Sequence, residues 1–178
     1  MFSTAAFARG ATVAFTGGTT AQRSQVARAL AVSTFDWSVL PTRVTVHIGR
    51  DFDAEAAPGD IWLDARLLDT GRFSWGVVQH EFAHQVDFQL LSAKARDGFA
   101  LLLGGSAWCG ASPLVAHGDY GCERFASTLA WAYWPSTSNC MKPMSSSDES
   151  AAMEPAAFRA ALAEALHIQD PKYVRWTA

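Results

Sequence analysis

Two histidines and a glutamate in the segment His80-Glu81-Phe82-Ala83-His84 have the residue types and spacing of a catalytic metal site. They fit the pattern H-E-x-x-H. Side chains at positions i and i+4 lie one turn apart on the same helix face, so the imidazoles of His80 and His84 can bind one cation. Zinc binds neutral imidazole nitrogen, and a catalytic zinc keeps three protein ligands and a water. Glu81 lies about 100° around the helix from His80, where it is predicted to act as general base on that water.

The third ligand of this zinc site must come from outside the motif. Downstream candidates are His117, Asp119 and Glu123. Glu123 is favoured because it stands near the start of a predicted helix, from which its carboxylate can face the histidine pair. The other two lie in a predicted loop, a less precise place for a ligand. Asp87 is interpreted either as a hydrogen-bonding partner of a ligand imidazole or as a solvated surface residue.

Hydrolysis at such a site also needs a hydrogen-bond donor for the oxyanion that develops in the transition state. His117, Tyr120 and Tyr133 are the candidate groups. Tyr120 is selected because it lies only three residues before Glu123. The predicted catalytic residues are therefore Glu81 and Tyr120.

The elements that must position these residues follow from hydrophobic periodicity. Helices are predicted at about residues 21–31, 72–91, 93–103, 121–134 and 155–168, and strands at 44–48 and 61–64. Because both strands precede most helices, the predicted class is α+β, with a short antiparallel or mixed sheet packed on the motif helix and on the helix that carries Glu123. A single domain is expected over residues 1–178, with a loosely ordered start at 1–19. Residues 135–153 are predicted to form a loop. Within it, the run from Ser145 to Glu149 is interpreted most simply as solvated, with a lid over the cleft as the alternative.

Composition narrows the function classes. The net charge is −3, with only three lysines and no basic cluster, so nucleic acid is not an expected partner. No run approaches the roughly 18 apolar residues of a membrane span, and no secretory signal is recognisable. We therefore expect a soluble protein and favour the cytoplasm. Cys109, Cys122 and Cys140 form no C-x-x-C pair; one disulfide with a free thiol and three reduced thiols are equally compatible with the sequence.

A resemblance to a known family rests on two segments. The motif HEFAH is followed, 39 residues after His84, by the segment CERFASTLAWAYW, which contains Glu123. This arrangement resembles the gluzincin branch of the zincin metallopeptidases over roughly residues 40–135. The resemblance implies zinc, with His80, His84 and Glu123 as ligands and Glu81 as base. It also implies that a peptide substrate lies along an edge strand at Ile61–Asp64, by β-augmentation.

The chain departs from the larger members of that branch. Thermolysin-like gluzincins have a further helical domain that closes the cleft, whereas little sequence follows Trp134 here, so a minimal form is expected. The segment HGDYG at 117–121 resembles another zincin branch, in which an aspartate is the third ligand, and this keeps Asp119 as an alternative. The favoured function is zinc-dependent hydrolysis of peptide bonds. Hydrolysis of a non-peptide amide and a metal-stabilised interaction module without turnover are the alternatives.

Overall fold

The computed structural model describes residues 12–110, 112 and 114–167. Its strands are β1 (Val13–Gly17), β2 (Val44–Gly49), β3 (Glu55–Ala57) and β4 (Asp60–Asp64). Its α-helices are α1 (Thr20–Val32), α2 (Ala65–Asp69), α3 (Trp75–Leu90), α4 (Ala93–Leu103), α5 (Gly121–Tyr133) and α6 (Pro155–Leu166). Short 3-10 turns lie at Trp37–Val39, Gly71–Ser74, His117–Asp119 and Glu149–Ala151. A small sheet with several helices confirms the predicted α+β class.

The four strands form one mixed sheet in the order β1-β2-β4-β3. β1, β2 and β4 are parallel, whereas β3 runs antiparallel to β4. The alternating residues Val44, Val46 and Ile48 of β2 point into the core, where they are buried together with Ile61 and Leu63 of β4. The period-2 pattern that predicted β2 therefore marks the face on which the helices pack.

The prediction that Ile61–Asp64 forms an edge strand is wrong. β4 pairs with β2 on one side and, over Asp60–Trp62, with β3 on the other, so β3 forms one edge of the described sheet and β1 forms the other. β3 follows no hydrophobic alternation, since it consists of one glutamate and two alanines. A tight turn at Pro58–Gly59 joins it to β4, and Gly59 takes a positive φ of 87° there, which favours glycine.

The motif helix α3 is buried without interruption from Val78 to Asp87. It packs against α1, α5 and the β3–β4 hairpin. Gln85, a polar residue in this buried stretch, donates to the carbonyl oxygens of Ala57 (2.8 Å) and Asp60 (3.1 Å) and accepts from the Gly59 amide (2.8 Å). Gln85 thus holds the edge strand beside the motif helix.

Several predicted boundaries differ from the structure. Val13–Gly17 forms β1 within the segment that was predicted to be loosely ordered, of which residues 1–11 lie outside the described part of the chain. The motif helix begins at Trp75 because the preceding residues form α2 and a 3-10 turn. The last helix ends at Leu166, and residue 168, to which it was predicted to extend, lies outside the described residues.

Among the described residues, no helix has the length and apolar character needed to cross a membrane.

Candidate metal centre

The side chains of His80, His84 and Glu123 converge on one point between α3 and α5. Nε2 of His80 lies 3.1 Å from Nε2 of His84, and Oε2 of Glu123 lies 3.2 Å from the first nitrogen and 3.3 Å from the second. Both histidines are buried, and the Glu123 side chain is only 16% exposed. The structure thus brings the three predicted ligands together as a group that can hold a metal ion.

The spacing of these three atoms fits a zinc ion. Zinc–ligand bonds of about 2.0–2.1 Å at tetrahedral angles place neighbouring ligand atoms about 3.3 Å apart. The observed separations of 3.1, 3.2 and 3.3 Å form a nearly equilateral triangle of that size. Two imidazoles and one carboxylate also form a donor set that zinc accepts in catalytic sites.

The electrostatics of the ligand group couple the two helices. Burial would raise the pKa of the Glu123 carboxyl, but hydrogen bonds from His80 and His84 outweigh burial and hold that pKa well below its usual range. Burial would conversely lower the pKa of His84, yet the hydrogen bond and charge of Glu123 leave it raised. The protonated form of His84 and the ionised form of Glu123 therefore stabilise each other where the two side chains meet.

Glu81 is buried beside this group, with 4% of its surface exposed, and it lines the same cleft. Burial raises the pKa of its carboxyl, the Glu123 charge raises it further, and the neighbouring histidines oppose the shift. A carboxylate with a raised pKa is a stronger base near neutral pH than an exposed one. The position and electrostatics of Glu81 therefore suit proton transfer.

The first turn of α5 is fixed by the loop that precedes it. The amides of Gly121 and Cys122 donate to the carbonyl oxygens of Ala107 (2.7 Å) and Trp108 (2.8 Å). Cys122 also forms a disulfide with Cys109, while Cys140 is free. Of the two cysteine arrangements that the sequence left open, the structure has the one with a single disulfide and a free thiol. Glu123 therefore stands directly after a cross-linked residue.

Of the alternative third ligands, His117 lies near the centre and Asp119 does not. Nε2 of His117 lies 3.3 Å from Oε2 of Glu123, and its side chain is 71% exposed. Asp119 is exposed and its carboxylate faces Arg124 at 3.7 Å. Among the described residues, only His80, His84 and Glu123 form a group in which one possible ligand atom from each residue lies within 4.8 Å of the other two.

The structure does not bring Tyr120, the predicted oxyanion donor, into the cleft. Its hydroxyl accepts a hydrogen bond from the Ser112 amide (2.8 Å) and donates to the Ser112 carbonyl (3.3 Å). The ring packs beside Gly110 and is buried. The sequence could not reveal this because Tyr120, although close to Glu123 in the chain, precedes the helix and points back into its own loop.

Asp87 is buried, but it is neither a solvated residue nor a recorded partner of a ligand imidazole. Its carboxylate accepts hydrogen bonds from Nε of Arg96 (2.6 Å) and from the indole of Trp108 (3.0 and 3.1 Å). It therefore links α3 to α4 and to the residue that precedes Cys109. The interpretation of Asp87 as a solvated surface residue was wrong. Its interpretation as a partner of a ligand imidazole stays a prediction, and the charge of Asp87 raises the pKa of His84.

Sequence reasoning missed two further polar residues at the centre, Ser127 and Glu149. Nδ1 of His80 lies 3.1 Å from the hydroxyl of Ser127, which donates to Oε2 of Glu149 at 2.7 Å. Oε1 of Glu149 lies 3.3 Å from Nδ1 of His117. The interpretation of Glu149 as part of a solvated loop was wrong. A usable signal for Ser127 was its position four residues after Glu123, on the same face of α5.

These residues line a cleft of about 370 Å³ that extends from the edge strand to α5 and the Glu149 turn. Ala54, Glu55 and Ala56 border it on the strand side, and Met141 and Glu149 border it on the opposite side. The metal-binding group, Glu81 and His117 lie in the same cleft. The arrangement therefore combines a cation site, a buried carboxylate and an exposed imidazole next to an open strand edge.

Comparisons of the chain with protein families, with curated proteins and with solved structures found no match.

Proposed function

We propose that this protein is a zinc-dependent hydrolase of peptide bonds, with one zinc ion per chain held by His80, His84 and Glu123. The observation that carries the proposal is the triangle of ligand atoms, 3.1–3.3 Å on each side, with the buried Glu81 next to it. When bound, zinc supplies Lewis-acid activation of a water molecule and of the scissile carbonyl group. The rest of the reaction depends on side chains of the chain itself.

Glu81 is the general base in this proposal. Its carboxylate takes a proton from the attacking water and later gives that proton to the leaving amine. Burial raises its pKa, so the same group can accept and return a proton near neutral pH. A metal site of purely structural type has no use for such a base, and it normally has four protein ligands.

A peptide substrate is supported by the strand edge that borders the cleft. Of the two edge strands of the described sheet, β1 and β3, it is β3 that borders the cleft, where Ala54–Ala56 lie beside the candidate ligands. An extended peptide can add to such an edge through main-chain hydrogen bonds. The substrate strand is thus placed on β3 rather than on Ile61–Asp64.

His117 replaces Tyr120 as the proposed donor to the oxyanion. Its imidazole is largely exposed and faces the centre through Nε2. His117 can donate through Nε2 to a developing negative charge, and its Nδ1 lies 3.3 Å from Oε1 of Glu149. Tyr120 is less suitable because its hydroxyl is engaged by Ser112.

The second candidate function, a metal-stabilised module without turnover, is favoured by one observation. The same Nε2 atom of His117 lies 3.3 Å from Oε2 of Glu123, so a small ring movement would provide a fourth protein ligand. Four protein ligands leave no open position for a reacting water. Hydrolysis of a non-peptide amide uses the same metal site and differs only in the substrate.

The disulfide indicates in which cellular compartment the protein is expected to function. Disulfides persist in oxidising compartments and are rare in the cytosol. The Cys109–Cys122 bond next to Glu123 therefore favours an exported protein over the cytoplasmic one that the sequence favoured.

The decisive experiment compares wild type with Glu81→Gln, and with Glu154→Gln as a control that removes the same charge at an exposed position outside the cleft. Zinc content is measured by elemental analysis, and cleavage is measured on a library of unstructured peptides. We expect one zinc in all three proteins and a loss of cleavage of about 10²–10⁴-fold in Glu81→Gln alone. Wild-type turnover in Glu81→Gln would refute the mechanism. A wild type that binds no zinc after reconstitution would refute the metal site and leave a metal-free ion-pair cluster.

A further inference from the structure

One carboxylate, that of Glu149, contacts both sides of the candidate centre through its two oxygens. Oε2 accepts the hydroxyl proton of Ser127 at 2.7 Å, and Oε1 lies 3.3 Å from Nδ1 of His117. Ser127 in turn lies 3.1 Å from Nδ1 of His80. Glu149 is thus one hydrogen bond away from an exposed imidazole of the cleft and two away from a ligand imidazole.

The direction of the hydrogen bonds from His80 through Ser127 to Glu149 follows from the chemistry of the three side chains. If Nε2 of His80 binds the cation, its proton is on Nδ1, and Nδ1–H donates to the Ser127 hydroxyl. That hydroxyl then donates its own proton onward, and an ionised carboxylate is an acceptor only. A terminal carboxylate is therefore the group that keeps His80 in the tautomer whose Nε2 is free to bind a metal.

The turn that carries Glu149 is held against α5 and against the His117 turn. Thr128, on α5, donates to the main-chain carbonyl of Glu149 at 3.3 Å. On the other side, a Cβ atom at Gly118 would lie 3.0 Å from Oε1 and 3.1 Å from Cγ of Glu149. The carboxylate therefore approaches the 117–119 turn closely where that turn has no side chain.

We propose that Glu149 is a positioning residue that orients His80, through Ser127, and His117 at the same time, and so couples the metal-binding side of the cleft to the side that receives the substrate. This inference deepens the proposed function and rests on it for the identity of the metal. The hydrogen-bond network itself does not depend on metal binding. Residues 135–153 thereby become part of the site, although they carry no ligand.

The test uses the full chain with Glu149→Gln and Ser127→Ala, and with Glu154→Gln as a control. Glu154 is exposed and lies five positions further along the chain, so the control removes the same charge close by. The first readout is the ¹⁵N and ¹H spectrum of the histidine rings in metal-free protein. Glu149→Gln is expected to change the ring-nitrogen signals of both His80 and His117, Ser127→Ala those of His80 but not His117, and Glu154→Gln neither.

The second readout is zinc affinity, measured by competition with a chromophoric chelator. Loss of an outer partner of a ligand histidine typically lowers metal affinity about 10–100-fold. We expect a decrease of that size in Glu149→Gln and in Ser127→Ala, and no further decrease when the two are combined, because both changes interrupt one chain of hydrogen bonds. Unchanged zinc affinity in Glu149→Gln, or additive losses in the double variant, would overturn the inference.

The two readouts separate the possible failures. If wild type binds no zinc, the proposed function fails, and the ring-nitrogen pattern still decides the role of Glu149. If wild type binds zinc but the His80 signals do not respond to Glu149→Gln, the positioning role is wrong while the metal site stands. Ser127→Ala interrupts the same series of hydrogen bonds between His80 and Glu149. The link to His80 can therefore still be tested if the Glu149 variant fails to fold.

Discussion

Oε2 of Glu123 lies 3.2 Å from Nε2 of His80, although the two residues stand 43 positions apart in the chain. Glu123 lies in the first turn of α5 and His80 lies within α3, and these two helices pack directly on each other. The close approach of a carboxylate and a histidine pair from two helices is the geometric basis of the proposed zinc site.

The first prediction concerns this carboxylate. Glu123→Ala removes one of three ligands, so its zinc affinity should fall by more than the roughly 100-fold upper range for an outer partner. Asp119→Ala, which removes a nearby exposed carboxylate, should leave zinc affinity unchanged. Zinc content after dialysis and chelator competition on both variants provide the measurement. Unchanged affinity in Glu123→Ala would return the role of third ligand to His117 or Asp119.

The three residues of the candidate metal site were predictable from sequence because their relationship is mostly local. The spacing of His80 and His84 determines that they share a helix face, and the start of a second amphipathic helix indicated Glu123. The α+β class followed from the alternation in β2 and the longer helical periods. These signals depend on a few neighbouring residues and on regular helix geometry.

The features that sequence reasoning missed depend on tertiary contacts. β3 is formed by Glu55–Ala57, which have no strand pattern of their own and are placed by the Pro58–Gly59 turn and by Gln85. Glu149 lies in a segment whose serine-rich composition resembles a surface loop, yet that segment packs on α5. Composition alone does not indicate which loop folds back over a site.

The second prediction is that zinc binding releases protons near neutral pH. The pKa of His84 is raised in the metal-free protein because Glu123 outweighs burial. Zinc requires the neutral imidazole, so binding expels the proton, and zinc affinity should weaken as pH falls through the raised pKa. Calorimetry in buffers of different ionisation enthalpy measures the number of protons released. Proton release that is absent near neutral pH would contradict the pairing of His84 with Glu123.

The same shift predicts how the metal-free protein responds to pH. A histidine with a raised folded-state pKa contributes stability that is fully present below its unfolded value, about 6.5, and that is lost as pH rises through the folded value. The metal-free wild type should therefore lose this contribution as the pH rises above about 6.5 and passes through the raised pKa of His84. Glu123→Gln, which removes the partner charge, should flatten the pH dependence of the unfolding free energy in that window. An equally steep dependence in the variant would assign it to another group.

The third prediction concerns the disulfide. Cys109 and Cys122 are 13 positions apart, and closing a loop of about this length stabilises a protein by about 3 kcal/mol in the chain-entropy description. The double variant Cys109→Ala/Cys122→Ala should lose stability of that order in urea unfolding. It should also bind zinc less tightly, because Glu123 follows the cross-linked residue. Cys140→Ala, which retains the disulfide, is the control, and equal losses in both proteins would show that the cross-link itself contributes little.

The fourth prediction separates a structural role of Asp87 from a role at the metal. Its carboxylate is buried and accepts from Arg96 and Trp108, and removal of one partner from a buried ion pair typically costs about 3–5 kcal/mol. Because the side chain of Arg96 is 32% exposed, we expect Asp87→Ala to cost about 3 kcal/mol, at the lower end of that range. The control Asp97→Ala, at an exposed position on α4, should change the unfolding free energy by no more than about 0.5 kcal/mol.

Zinc affinity decides between the two roles of Asp87. If the residue only joins α3 to α4 and to the loop before Cys109, Asp87→Ala should keep its zinc affinity under conditions where the variant is folded. Its carboxylate accepts hydrogen bonds from Arg96 and Trp108, and within the described part of the chain no ligand imidazole donates to it. A stability loss with unchanged affinity is therefore the expected result. The reverse result, near-normal stability with a 10–100-fold loss of zinc affinity, would place Asp87 with Glu149 among the residues that orient the ligands.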